Sequence, residues 1–288
     1  MKDTILQVAS ISLVASLIFG LSNHVQRIAL DHMDVRTGTL INVATTAVLL
    51  WLISPFFLVP ATLMTTSASW FALSGLIVPS LSMTFHTLSV RVIGPALTAG
   101  LASTSPVFAM AIAVLALGEI VSTNVLVGTV IVVVGIAIVA LSSRGTTSSW
   151  PLWAVAIPLG AALARGLSHN AVKIGLEGLP SPLTAAFVAT STSLLVVLLL
   201  HIASVRTLPA WNAGYLWFGL CGVMNGLGLV GLMIALHLGD VTIVAPLIST
   251  TPIFTLVTGW LFFRRETLPF TSVAAIMLIF CGCLLVIM

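Results

Sequence analysis

Apolar runs of about twenty residues follow one another along this chain, separated by short breaks that hold Pro, Gly, Ser, Thr and most of the charges. A helix needs roughly 20 apolar residues to cross a bilayer core. The runs predict helices over 5–25, 39–59, 70–90, 96–118, 125–141, 152–172, 183–202, 215–236, 243–263 and 271–288. No stretch alternates apolar and polar positions with frequent turns, so a lipid-facing barrel does not fit, whereas helices satisfy their backbone groups internally. The breaks are too short for a soluble domain. The predicted fold class is an all-α polytopic membrane protein with ten transmembrane helices.

Composition strengthens this reading. Of 288 residues, 59% are hydrophobic and 6% charged, where a soluble domain carries about 25% charged residues. Lys2 before the first run imitates a signal peptide, but "LSNHVQR" (Leu21–Arg27) offers no small-residue cleavage site. Most of the ten Lys and Arg are spread over the loops rather than gathered in a patch, which argues against a nucleic-acid surface. Cys221, Cys281 and Cys283 fall inside predicted spans without metal or redox spacing and read as small apolar residues. Neither a metal nor another cofactor is expected, and no residue is assigned a catalytic role. The expected partners are a small-molecule substrate and the lipid bilayer.

The chain repeats itself. "FGLSNHVQRIALD" (Phe19–Asp31) returns as "RGLSHNAVKIGLE" (Arg165–Glu177) at an offset of 146. "STSPVF" (Ser103–Phe108) matches "STTPIF" (Ser249–Phe254) at the same offset, while Trp70/Trp217, Gly75/Gly222, Glu119/Glu266 and Gly135/Gly282 match at 147. The repeat therefore covers the whole chain and divides it into 1–146 and 147–288. Each copy holds five spans, an odd number, so the second copy enters the membrane from the opposite side. With both copies in one chain, a monomer suffices as the working unit.

Charge placement tests this inversion. Arg27, Arg36, Arg91, Arg144, Arg206, Arg264 and Arg265 follow the odd-numbered spans, seven against Lys2 and Lys173 on the other side. Lys and Arg mark the cytoplasmic side, which puts both termini outside. Inverted repeats related by a two-fold axis in the membrane plane are typical of secondary transporters, with the substrate site near the midplane where the repeats meet. Five-plus-five symmetry suits alternating access better than a fixed pore.

The segment "LGEIVSTNVLVGTVIVVVGIAIV" (Leu117–Val139) resembles the end of an EamA-type domain of the drug/metabolite transporter superfamily, and "GPALTAGLASTSPVF" (Gly94–Phe108) resembles its fourth helix. The second copy, "APLISTTPIF" (Ala245–Phe254) and "FFRRETLPFTSVAAIMLIFCGCLLVI" (Phe262–Ile287), fits more loosely, with Arg264 and Arg265 where the motif has Leu-Gly. The resemblance implies a ten-helix carrier of amino acids, other metabolites or drugs, often working outward. The amino-acid exporter branch is the nearest likeness, which implies the plasma membrane, a bacterial inner membrane in particular. Relatives are often drawn with both termini cytoplasmic, against the charge count here.

Ionisable groups in hydrocarbon are costly and face a cavity or a partner. Arg165 lies well inside the sixth predicted span, and Ser168 and His169 follow it on the same face by i+3 and i+4 spacing. A guanidinium in a low-dielectric cavity binds a carboxylate through two charge-assisted hydrogen bonds. Snorkelling to the interface is the alternative for Arg165. Asn23, His24 and Asn170 share the doubled segment, and His86 and Asn225 lie in the third and eighth spans. Each reads equally as cavity lining or as an interhelical hydrogen bond; Asn42 is a weaker candidate. Ser103, Thr104, Ser249 and Thr250 precede prolines and either face the cavity or re-satisfy backbone carbonyls at a kink. Pro79, Pro106, Pro158 and Pro252 are candidate hinges. Ser16 with Gly20, Ala162 with Gly166, and Gly222 with Gly226 predict close helix packing.

Absences narrow the substrate. No Asp or Glu falls in the middle of a predicted span. Small multidrug antiporters of the same superfamily use a buried carboxylate in their first helix, and "ILQVASISLVASLIFGLSNHV" (Ile5–Val25) has none. A zwitterion or weak anion therefore fits better than a cationic drug. A carrier of nucleotide sugars or organic phosphates would need more than one buried cation. An intramembrane hydrolase is the remote rival, because Ser168 beside His169 lacks a Gly-x-Ser-x-Gly elbow.

Overall fold

The computed structural model describes residues 2–82, 85, 88–89, 92, 98, 101–142, 152–204, 210–259, 261 and 270–288. All regular structure among them is helical. The helices are α1 (Lys2–Ala29), α2 (Val35–Ile53), α3 (Thr66–Leu76), α4 (Ser105–Ile112), α5 (Thr123–Ser142) and α6 (Ala156–Gly178). They continue with α7 (Pro182–Ser204), α8 (Ala213–Leu238), α9 (Val241–Ile248), α10 (Thr251–Thr258) and α11 (Phe270–Ile287). Widened π-helical stretches, Ile77–Ser82 and Ala113–Leu117, prolong α3 and α4.

Several predicted boundaries move for local reasons. α2 starts at Val35 rather than 39 because Asp34 caps it, its Oδ2 accepting from the Thr37 N–H at 3.0 Å. That hydrogen bond holds the Asp34 carboxyl below its ordinary range. α2 then ends at Ile53, short of 59, where Ser54–Phe56 and Pro60–Met64 form 3-10 turns around prolines. α6 begins later and ends later than 152–172, at Ala156–Gly178. Arg165 therefore sits near the middle of its helix.

The two Ser/Thr-Pro stretches break their helices outright instead of merely kinking them. Turns occupy Ser103–Thr104 and Ser249–Thr250, and Pro106 and Pro252 stand in the first turn of the next helical piece. Proline lacks an N–H, so carbonyls one turn back lose their partner. For Pro252 that carbonyl is Ile248, and Ser16 Oγ and Thr251 Oγ1 donate to it at 2.9 and 2.8 Å. Beside each break Thr104 Oγ1 donates to the Leu101 carbonyl at 2.7 Å and Thr250 Oγ1 to that of Leu247 at 2.6 Å, at equivalent points of the two copies.

Five described segments are long and apolar enough to cross a membrane, namely Asp3–Ala29, Val35–Phe56, Pro182–Ala203, Ala213–Leu238 and Val241–Thr258. Ser105–Leu117, Thr123–Ile138 and Ala274–Ile287 are shorter apolar helices. α6 has the length but not the apolar character, and its Ser168, His169 and Asn170 are buried. Large apolar side chains such as Leu52, Leu199 and Leu227 point outward on α2, α7 and α8, as a lipid-facing surface requires. The main core joins Val8, Phe71, Val172, Leu236 and Val244 from five different helices.

Helix packing exchanges the two copies. α1 packs on α8 and on α10, and correspondingly α6 packs on α3 and on α4. α1 runs antiparallel to α8, with Phe19 against Gly228, Ala15 against Gly231 and Val8 against Gly239. α6 runs antiparallel to α3, with Ser168 on Ser74 and Gly175 on Phe71. α5 pairs with α11 through Gly128 and Gly282. At Gly20 a Cβ would come within 2.9 Å of Phe254 Cβ, and at Gly166 within 2.8 Å of the Ala109 nitrogen, positions that correspond at an offset of 146. These glycines let α1 and α6 each touch the broken helix of the opposite copy.

Candidate substrate cavity

A cavity of about 720 Å³ lies between the two copies. Its wall is built from α1, α2, α3 and the π-helical stretch after it, α6, α7 and α8, together with Ile136 of α5 and the broken segments at Ala102–Ser103 and Ile248–Pro252. Most lining positions come in repeat-related pairs. Phe19/Arg165, Asn23/His169, Gln26/Val172, Thr46/Ser193, Val78/Asn225 and Ser103/Ser249 all line it. The scaffold is two-fold, but the chemistry is not.

α6 supplies the charged part. Arg165, Ser168, His169 and Val172 form one stripe on the wall, as helical spacing dictates. Arg165 lines the cavity, and among the described residues no hydrogen bond or ion pair engages its guanidinium. Ser168 is committed to a 2.7 Å hydrogen bond with Ser74. The buried His169 Nδ1 has no hydrogen-bond partner among the described residues. No Asp or Glu occurs among the described lining residues, and Arg165 is the one Lys or Arg there. The local field favours an anion.

Amides gather on the wall opposite in the repeat. Asn225 Nδ2 donates to Asn42 Oδ1 at 3.2 Å, and both residues line the cavity. Asn23 lines it too and donates to Thr255 Oγ1 at 3.0 Å. Ser103 and Ser249 reach the wall at the two helix breaks, with Pro252 beside Ser249.

Other candidates lie off the wall. His24 Nε2 donates to the Thr255 carbonyl at 2.8 Å, and Asn170 Nδ2 donates to the Ala109 carbonyl at 3.0 Å. These are equivalent interhelical bonds, since His24 corresponds to Asn170 and Thr255 to Ala109. Thr104 and Thr250 spend their hydroxyls on the backbone as described. Pro106 and Pro158 are buried in α4 and α6, Pro79 falls in the π-helical stretch after α3, and His86 lies outside the described residues.

Four further residues matter whose contacts sequence reasoning did not identify. Thr190 lines the cavity with a buried Oγ1 that has no hydrogen-bond partner among the described residues, and Gln26 lines it one turn beyond Asn23. Aligning α2 with α7 at an offset of 147 pairs Thr190 with Val43, which also lines the wall. The other two act at one end of the bundle. Lys173 Nζ donates to the carbonyls of Leu236 and Gly239 at 3.1 and 2.8 Å, closing the C-terminus of α8. Glu119 accepts the N–H groups of Val241 and Thr242 at 2.8 and 2.9 Å, capping α9. Gly118, with φ of 69°, turns the chain so that Glu119 can reach.

The two ends of the cavity differ. Toward the α8–α9 turn its wall is apolar and buried, with Leu232, Met233 and Leu236. Toward the C-terminal end of α1 the wall holds an exposed Asn23 and half-buried Gln26 and Thr39. The polar and exposed part of the described lining thus lies at the second end.

Comparison with known proteins places this geometry. A solved structure described as "Crystal structure of protein" superposes with a TM-score of 0.79 over 99% of this chain and 96% of its own, at 14% identity, and so shares the fold. No curated protein matches. The profile of the EamA-like transporter family matches twice, over residues 7–141 and again over 151–288. A helical chain with two family repeats, apolar outward faces and a cavity between the copies belongs to the EamA-like transporter family.

Proposed function

We propose that this chain is a secondary transporter of small carboxylate-bearing metabolites, amino acids foremost, in the plasma membrane. Ten spans, five in 1–146 and five in the inverted 147–288, are the arrangement this reading uses. The observation that carries it is Arg165: a permanent cation on the wall of the cavity, with no protein partner among the described residues. Leaving a cation unpaired away from water is costly, so a ligand that supplies the counter-charge is stabilised there. A carboxylate fits the guanidinium fork in two hydrogen bonds. Nucleotide sugars or organic phosphates fit less well, because a single lining cation meets only part of a multiply charged group.

Access alternates in this reading. Lys173 and Glu119 latch the α8–α9 turn and so hold one end shut. Their repeat mates are Arg27 and Glu266. Arg27 is exposed and makes no side-chain hydrogen bond among the described residues. When the halves exchange shapes, Lys173 lets go of the α8–α9 turn and Arg27 takes the equivalent part at the other end. Saturable counterflow of labelled amino acids in proteoliposomes tests the function. Uptake that saturates, and is accelerated by the same amino acid inside, is expected. Linear, non-saturating flux or no flux of any amino acid would overturn the reading.

A further inference from the structure

The α2–α8 and α3–α7 interfaces are repeat mates, and they are held by the same bonds. Thr46 Oγ1 donates to the Gly222 carbonyl at 2.6 Å, and its counterpart Ser193 Oγ donates to the Gly75 carbonyl at 3.0 Å. Gly222 lies against Asn42 and Thr45, just as Gly75 lies against Ala189 and Thr192. Hydroxyl-to-carbonyl bonds and glycine contacts thus serve both interfaces alike. On top of this shared framework only the α2–α8 side carries the Asn42–Asn225 pair. The equivalent residues, Ala189 and Val78, also line the cavity and pack without it. The amides are therefore surplus to helix association.

We propose that Asn42 and Asn225 are a second recognition point, which reads an uncharged donor–acceptor group on the substrate, a primary carboxamide or a hydroxyl. This rests on the carboxylate reading of Arg165 given above. One N–H of Asn225 is spent on Asn42 Oδ1. That leaves further N–H donors on both residues, the Asn225 carbonyl oxygen and a second lone pair on Asn42 Oδ1. Such a set complements a group that both donates and accepts. A cationic side chain would find no carboxylate among the described lining residues. An apolar side chain would leave the amides unpaired, which a site built for hydrogen bonds penalises. The cavity then holds its substrate at two poles, carboxylate on α6 and polar side chain on α2 and α8.

The test uses the full chain in proteoliposomes with labelled glutamine and leucine, two amino acids of equal net charge and similar size. The variant is the double change Asn42→Ala with Asn225→Val, which installs the residues that already pack at the mate interface. The wild type is expected to prefer glutamine over leucine by about tenfold or more in kcat/KM, and the variant to lose that preference while still moving leucine. Equal handling of glutamine and leucine by the wild type, or an unchanged preference in the variant, overturns the proposal. If Arg165→Ala abolishes both fluxes in that case, the carboxylate reading survives alone. A wild type that moves neither amino acid sinks both.

Discussion

Arg27 and Lys173 stand at the same point of the two copies, 146 residues apart, yet only Lys173 holds a helix end. Val8 lies beside Gly239, so the latched turn is at the N-terminal end of α1, while Arg27 is at the other end of that helix, roughly 28 Å away at 1.5 Å per residue. The structure is thus asymmetric at symmetric residues. Lys173→Ala removes two charge-assisted hydrogen bonds and should shift the population toward opening at the α8–α9 end. In a background without the three native cysteines, a probe at Met233→Cys should react with a water-soluble maleimide about tenfold faster once Lys173 is removed. Equal labelling rates would remove the latch.

Arg165→Ala should lower counterflow of a carboxylate substrate by about 100-fold or more, with normal yield and a normal gel-filtration profile, because the bidentate charge-assisted contact is lost. Arg165→Lys keeps the charge but not the fork, and should fall between the two. Transport by the alanine variant at the wild-type rate would end the carboxylate role.

Glu119 contributes to stability whether or not the transport reading holds. Replacing it by alanine leaves the Val241 and Thr242 N–H groups uncapped and should cost about 2–4 kcal/mol. Glu119→Gln keeps one acceptor oxygen and should recover part of the loss. Gly118→Val adds a β-branched side chain at a positive φ and should cost about 1–3 kcal/mol. Thermal unfolding in detergent reads all three.

At Gly166 the site of a new Cβ is occupied by the backbone of Ala109, which cannot swing aside. Gly166→Ala should therefore destabilise by about 1–3 kcal/mol. Gly219→Ala is the contrast, since the nearest atom to its Cβ is Thr45 Oγ1 at 3.9 Å. That change should be neutral or stabilise by up to about 1 kcal/mol through helix propensity.

Asp34→Ala should cost about 1 kcal/mol at neutral pH through loss of the α2 cap. The folded state holds this carboxyl below its ordinary pKa of 3.8, so its contribution is full above that value and disappears as pH falls through the lowered one. Unfolding curves of wild type and variant should converge in acid, and a gap that persists there would point to packing instead.

The sequence by itself determined the helical class, the doubled organisation and the special place of Arg165. Each depends on one-dimensional signals: apolar run length, a fixed offset, and a charge inside an apolar helix. Tertiary structure decided which polar side chains share one space. His24 and Asn170 look the same in sequence as Asn23 and His169, one residue away, yet they point into α10 and α4 while their neighbours face the cavity. A step of one residue turns a helix by about 100°, and only the position of the partner helix says which side is the cavity. Glu119 and Lys173 show the same limit. Their partners are backbone groups at helix ends 122 and 66 residues away, and a backbone acceptor or donor leaves no mark in the sequence.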